Sequence, residues 1–233
     1  MTAVELLEQT VHELEKLPCT FALAGGFAAT FYRAEPRQTW DVDLLLKTEG
    51  NSILLAEELI RHFGMVPRRV TLAQLSQAPG HHKKSSPVAI VAGINEQSKN
   101  EQSKTAARLD FLLAALPWVN SGLERAQYHR INFPFGSLPT IPIEDLIIAK
   151  TFSCAQSTTR LKDLDDILSI FHSGNHLDLD YLTARFDALK LSLPREAERL
   201  APKALAVASK RIRSSGKGPA RHAQMKRLFL REP

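Results

Sequence analysis

Apolar residues Val4, Leu6, Leu7, Val11, Leu14 and Leu17 recur at near-helical spacing at the start of the chain, which predicts a first helix reaching about Lys16. Thr2 followed by Glu5 supplies a capping box for it, and Pro18 ends it. The run Thr20 to Ala24 is short and apolar and feeds directly into Gly25-Gly26, the pattern of a buried strand entering a tight turn. A second helix opens at the glycines and carries Phe27 to Tyr32.

Glu35 to Thr39 is polar and holds Pro36, so it reads as a loop; Asp41 to Leu46 then reads as a strand. Gly50-Asn51-Ser52 closes that strand and caps a helix over Ile53 to Phe63. Pro87 to Ala92 and Ala107 to Ala114 have the character of two strands, a hairpin or a neighbouring pair. Between them Asn95-Glu96-Gln97-Ser98-Lys99 is repeated at once as Asn100-Glu101-Gln102-Ser103-Lys104. Five polar residues repeated once cannot pack as a unit, so the duplication is a loop insertion and not a repeat architecture.

Tyr128 to Phe133 and Leu138 to Ile143 read as further strands about a turn at Pro134 to Ser137. Beyond Pro142 the period changes to helical, with helices expected over Glu144 to Phe152, Leu161 to Phe171, Leu179 to Leu189 and Arg195 to Ile212. The pattern therefore predicts an α+β chain: a mixed α/β region over 1–142, a helical lobe over 143–213, and a basic tail over 214–233 behind the linker Ser214 to Pro219.

Charge sharpens the view of the C-terminus. From Ala201 onward, Lys203, Lys210, Arg211, Arg213, Lys217, Arg221, Lys226, Arg227 and Arg231 face Glu232 alone, a charge of +8 in a chain of total +5, which leaves −3 for the body. Such a tail suits contact with an acidic partner, and equally a solvated helix with a loose end. Cys19 and Cys154 are far apart, and no leader-like segment or apolar stretch of membrane-spanning length is seen, so a cytoplasmic protein with reduced thiols is expected.

The candidate chemistry lies in three acids. Alternate side chains of a strand share a face, so Asp41 and Asp43 point the same way and repel unless a cation sits between them. Oxygen-only ligands on a rigid strand suit Mg²⁺. Gly25-Gly26 precedes the pair by fifteen positions, at the start of a helix, where backbone N–H groups can receive phosphate. Asp110 is a single acid inside the apolar run Leu109 to Leu113, a costly placement unless it is paired or binds a cation. If its strand lies beside Asp41 to Leu46, three carboxylates converge as two-metal phosphoryl transfer needs.

Gly25-Gly26, Arg37-x-Thr39-x-Asp41-x-Asp43 and the strand acid Asp110 together resemble the polymerase-β-type nucleotidyltransferase superfamily, in its minimal bacterial form. Ile143-Glu144-Asp145-Leu146-Ile147-Ile148-Ala149-Lys150, followed by Arg160-x-Lys162-Asp163-x-x-Asp166-Ile167, is similar to the late motifs of the AbiEii toxin group of that superfamily. The resemblance spans about Phe21 to Phe171.

It implies a nucleotidyltransferase-like N-terminal sheet and a helical C-terminal lobe. Gly25 and Gly26 would face the triphosphate of an NTP such as ATP, Asp41 and Asp43 would bind Mg²⁺, and Asp110 would complete a site for two ions, with Mn²⁺ as a substitute. Lys150 would contact phosphate, Arg37 would reach the triphosphate, Thr39 would order the loop, and Asp163 would be the site-facing acid of the late motif with Asp166 as second choice. Residue spacing alone also fits solvent-facing i,i+3 and i,i+4 ion pairs among Lys150, Lys162, Asp163 and Asp166. Two departures stand out: Gly-Gly replaces the common Gly-Ser, and the insertion from Ala78 to Thr105 exceeds a minimal hairpin.

The resemblance further implies transfer of an NMP to an acceptor hydroxyl on tRNA or protein, in a toxin-antitoxin or phage-defence setting with a cognate antitoxin. Competing readings are an antibiotic-type small-molecule adenylyltransferase and a non-catalytic antitoxin or binding module of the same fold. His81-His82-Lys83-Lys84 reads as a polar loop, and His12, His62 and His172 lie on helices with no special role. Neither a zinc spacing nor a Ser/His/Asp constellation is evident.

Overall fold

A computed structural model describes residues 1–75, 86–95, 106–157 and 159–215. The duplicated pentapeptide, apart from Asn95, the His81 to Lys84 stretch and the basic tail beyond Ser215 lie outside the described residues. The chain forms two compact units: one from Met1–Phe31, Pro36–Leu72 and Pro87–Pro142, the other from Tyr32–Glu35 and the helices after Pro142, with Ala73–Ser86.

The first unit is built on a five-stranded mixed sheet of order β1-β2-β5-β4-β3. Its strands are β1 (Cys19–Leu23), β2 (Asp41–Thr48), β3 (Val66–Thr71), β4 (Val88–Ile94) and β5 (Arg108–Leu112). β1 runs antiparallel to β2, β2 is parallel to β5, and β4 is antiparallel to both β5 and β3. β2 is interior, with Leu44, Leu45 and Leu46 fully buried, as a strand covered on both faces must be.

Helix α1 (Ala3–Leu14) carries the expected capping box, Thr2 N donating to Glu5 Oε2 at 2.8 Å and Glu5 N to Thr2 Oγ1 at 3.2 Å. Its face of Leu6, Leu7, Val11 and Leu14 joins Leu44, Leu46, Leu109 and Phe111 in one core. Each such side chain stabilises the fold by roughly 1.5–3 kcal/mol through burial. Helix α2 (Gly25–Tyr32) begins at the glycines, and α3 (Ser52–His62) is capped by Asn51, whose Oδ1 accepts from Ile53 N at 3.0 Å.

Several elements differ from expectation. β3 was not anticipated, because Val66-Pro67-Arg68-Arg69 has neither alternation nor an apolar run; it is a sheet-edge strand, where Pro and charge are tolerated. Nor were the short α4 (Leu72–Leu75) and α5 (Val119–Ala126), although Val119, Leu123 and Ala126 keep helical spacing and are buried. The strand expected over Leu138 to Ile143 is displaced: β6 (Arg130–Phe133) pairs with β7 (Gly136–Pro139), and Ile143 already opens α6.

In the second unit α6 (Ile143–Gln156), α7 (Leu161–His172) and α8 (Leu179–Leu189) follow one another. The single helix expected over Arg195 to Ile212 is two, α9 (Arg195–Glu198) and α10 (Lys203–Ser214). Pro202 explains the break: it has no N–H to continue a helix and serves instead as the N-cap residue of α10. Among the described residues no helix is long and apolar enough to cross a membrane.

Candidate active site

The β1–α2 junction sets the site. Ala24 N donates to Asp43 O at 2.9 Å, carrying the β1–β2 pairing one step past Leu23 and fixing the turn against the start of β2. Gly25 then turns with φ +62°, a left-handed conformation that glycine adopts without penalty. A Cβ there would lie 1.8 Å from Asp43 Oδ2, and one at Gly26 would lie 2.6 Å from Thr39 Oγ1 and 3.3 Å from an Arg37 guanidinium nitrogen. Gly25, Gly26, Arg37, Thr39 and Asp43 are thus neighbours, and only glycines leave room for this approach.

The insertion before β5 left the register of Asp110 open in the sequence. The structure pairs Asp43 with Asp110 and Asp41 with Arg108 across the parallel strands β2 and β5. Partners in register point to the same face, so the three acids and Arg108 share one side of the sheet. Asp110 Oδ1 accepts from Gly93 N at 3.3 Å. Burial first, then the charges of Asp43 and Asp41, push the Asp110 carboxyl up to about 7, against the pull of Arg108 and of the Gly93 N–H.

Arg108 is the residue that the sequence reading missed. Its Nε and Nη2 lie 2.8 and 2.7 Å from Asp41 Oδ1, a fork closed on one carboxylate oxygen. Burial opposes its charge, but the hydrogen bond and the charge of Asp41, with the fields of Asp110 and Asp43, hold its pKa above the usual value. The signal lay in plain view, since Arg108 stands two residues before Asp110 and so on the same strand face.

An all-oxygen set of carboxylates that repel one another fits a hard divalent cation. The pKa of the Asp110 carboxyl is raised first by its burial and then by the charges of Asp43 and Asp41 beside it. Among the described residues no three His, Cys, Asp or Glu side chains are drawn together tightly enough to hold a metal ion as they stand. Asp41 Oδ1 is instead engaged by the Arg108 fork.

The late-motif residues come together in the second unit. Lys150 Nζ lies 2.7 Å from Asp163 Oδ1 and 2.8 Å from Asp166 Oδ2. All three side chains are nearly or wholly buried, which rules out the solvent-facing pairs that spacing alone allowed. Burial opposes the charge of Lys150, yet Asp163 and Asp166 raise its pKa. Lys162 stays at the exposed surface. Asp145 and Glu144 hold structure: Tyr181 Oη donates to Asp145 Oδ1 at 2.6 Å, and Asp178 N to Glu144 Oε1 at 3.0 Å.

A mixed sheet with a glycine turn seated against paired strand carboxylates belongs to a nucleotidyltransferase. The chain is a member of the AbiEii family: the family model described as "Nucleotidyl transferase AbiEii toxin, Type IV TA system" matches residues 8–233. No curated protein matches it.

Three solved structures are similar at low identity. An antigenic nucleotidyltransferase-like protein from Paracoccidioides brasiliensis is 19% identical over 73% of this chain and 78% of its own, with TM-score 0.39. A candidate nucleotidyltransferase from H. pylori is 16% identical over 99% and 96%, with TM-score 0.41. The antibiotic-resistance factor ANT(2'')-Ia is 12% identical over 97% and 89%, with TM-score 0.36.

Proposed function

We propose that the protein transfers a nucleoside monophosphate from an NTP to an acceptor hydroxyl, using divalent ions held by Asp41, Asp43 and Asp110. The observation that carries this is the register partnership of Asp43 with Asp110, with Gly25 packed on the Asp43 carboxylate. Bound there, Mg²⁺, as two ions, or Mn²⁺ in its place, supplies Lewis-acid polarisation of the acceptor oxygen and charge neutralisation of the pyrophosphate leaving group.

The chain's own residues do the rest. Backbone N–H groups at the opening of α2 face the triphosphate, and the absence of side chains at Gly25 and Gly26 lets it approach. Arg37, placed beside Gly26, adds a cation there, and Thr39 orders the loop. Arg108 holds and orients Asp41 through its fork on Oδ1. Lys150 adds a phosphate contact, with Asp163 orienting its ammonium group.

The acceptor class we favour is RNA, with the tRNA 3′ end as its simplest form; a protein hydroxyl is the other outcome. The cluster of cations after Ala201 supports RNA by the charge it offers a phosphate backbone. Membership of a type IV toxin-antitoxin family supports a cognate antitoxin as partner, and the cytoplasm as the place of action.

Labelled NTPs incubated with the protein, Mg²⁺, total tRNA and soluble cellular protein provide the test. Label is expected in the tRNA fraction, and none with Asp43→Ala. Absence of label from every fraction, with no NTP-dependent thermal stabilisation, would sink the proposal.

A further inference from the structure

Arg33 lies outside every motif, yet it joins a buried charge cluster of the second unit. The segment that carries it is pinned to α7 and the turn after it: Ala34 N donates to Ser169 Oγ at 3.2 Å, and Asn175 Nδ2 to Tyr32 O at 2.7 Å. The Arg33 side chain is 8% exposed, and its Nη1 lies 2.6 Å from Asp166 Oδ1. Asp166 is wholly buried and shared, its second oxygen facing Lys150 at 2.8 Å.

The other acid on Lys150 has a similar arrangement. Asp163 faces Lys150 through Oδ1 and Arg160 Nε, at 3.1 Å, through Oδ2. Each carboxylate that holds Lys150 therefore also faces an arginine, Arg160 for Asp163 and, for Asp166, Arg33, which also meets the exposed Asp165. If Lys150 turned away, both acids would stay paired. Lys150 can therefore turn toward an anion without stranding a buried carboxylate.

We propose that Arg33 is a positioning residue for Lys150: by neutralising Asp166 it leaves the Lys150 ammonium available to an anion, the polyphosphate of the nucleotide. This rests on the reading of Lys150 as a phosphate contact. Without Arg33, the full charge of Asp166 falls on Lys150 and competes with the phosphate.

Calorimetric titration of the full chain with inorganic tripolyphosphate and Mg²⁺ tests this without regard to the preferred base. Arg33→Gln, which keeps hydrogen-bond donors but loses the charge, is expected to weaken binding about tenfold, the scale of coupling within one ion-pair network. Adding Asp166→Asn removes the competitor, so the double variant recovers most of that loss, an outcome that a merely structural role for Arg33 does not produce. If the single and double variants bind equally weakly, or if Arg33→Gln binds as wild type, the proposal is overturned.

Lys150→Ala separates the two readings. If it leaves binding unchanged, the phosphate role of Lys150 fails and this inference falls with it; if it weakens binding while Arg33→Gln does not, only the role of Arg33 fails. Should Arg33→Gln not fold, Arg33→Lys carries the test, because it keeps the charge. Affinity nearer that of wild type than that of Lys150→Ala is then expected, because Asp166 keeps a counter-charge, and a loss nearer that of Lys150→Ala overturns the proposal.

Discussion

Asp43 and Asp110 are register partners on neighbouring parallel strands, although 67 positions, including the polar insertion, separate them in the chain. The pair is costly to bury without a cation, and it is retained on the face where Gly25 leaves room. Asp43→Asn and Asp110→Asn are each expected to reduce nucleotidyl transfer by about 100-fold or more, the scale of losing several kcal/mol of charge stabilisation. Single-turnover transfer rates measured across a range of NTP concentrations check this. A loss confined to KM would assign the acids to nucleotide binding instead.

The Asp110 carboxyl is raised from 3.8 to about 7 by burial and by Asp43. Between those values the folded chain keeps a proton that the unfolded chain has released. This group therefore contributes most to stability at low pH, and the contribution is lost as pH rises through 7. Asp110→Asn does not titrate, so its Tm relative to wild type is expected to rise between pH 5 and pH 8, by an amount on the order of a few °C. Millimolar Mg²⁺ should narrow the gap at pH 8 by stabilising the wild type alone. A difference in Tm that is flat with pH contradicts the shift.

Much of this was legible in the sequence. The first helix, the glycine turn and β2 rest on local signals: a capping box, an apolar run stopped by two glycines, and acids spaced two apart. Asp110 stood out because an acid inside Leu109 to Leu113 needs a reason. Its register did not, since pairing across 67 residues is a tertiary fact. Arg108 went unseen because an exposed arginine at a strand start is ordinary in sequence, and here it is 54% exposed. β3 escaped because edge strands need no apolar alternation. The role of Arg33 depends wholly on α7 lying against a segment 133 positions away.

Gly25→Ala is expected to be severe, for two separable reasons. Its φ of +62° costs a Cβ-bearing residue about 1–2 kcal/mol, and its Cβ would stand 1.8 Å from Asp43 Oδ2. Gly64 has φ +71° with nothing within 4 Å of a Cβ, so Gly64→Ala suffers the conformational cost alone. Urea denaturation of both variants should show the Gly25 variant losing more stability, and transfer should vanish only in that variant. Equal losses would mean that Asp43 moves aside freely and that the glycine is needed for its conformation only.

Arg33 Nη1 touches two acids at nearly equal distance, Asp166 Oδ1 at 2.6 Å and Asp165 Oδ2 at 2.9 Å, so distance cannot rank them. Burial can: the Asp166 side chain has no exposure and that of Asp165 is 60% exposed. Water screens the Asp165 pair, which makes it worth about 0–1 kcal/mol. Losing Asp166 leaves Arg33 and Lys150 buried with a shared counter-charge gone, a loss of roughly 3–5 kcal/mol. In urea titrations Asp165→Ala should therefore lie close to wild type while Asp166→Ala is strongly destabilised. The less disruptive Asp166→Asn should fall between them, because it keeps the shape and one acceptor oxygen. Comparable losses at 165 and 166 would show that the interior of this cluster is wetter than the burial of Asp166 implies.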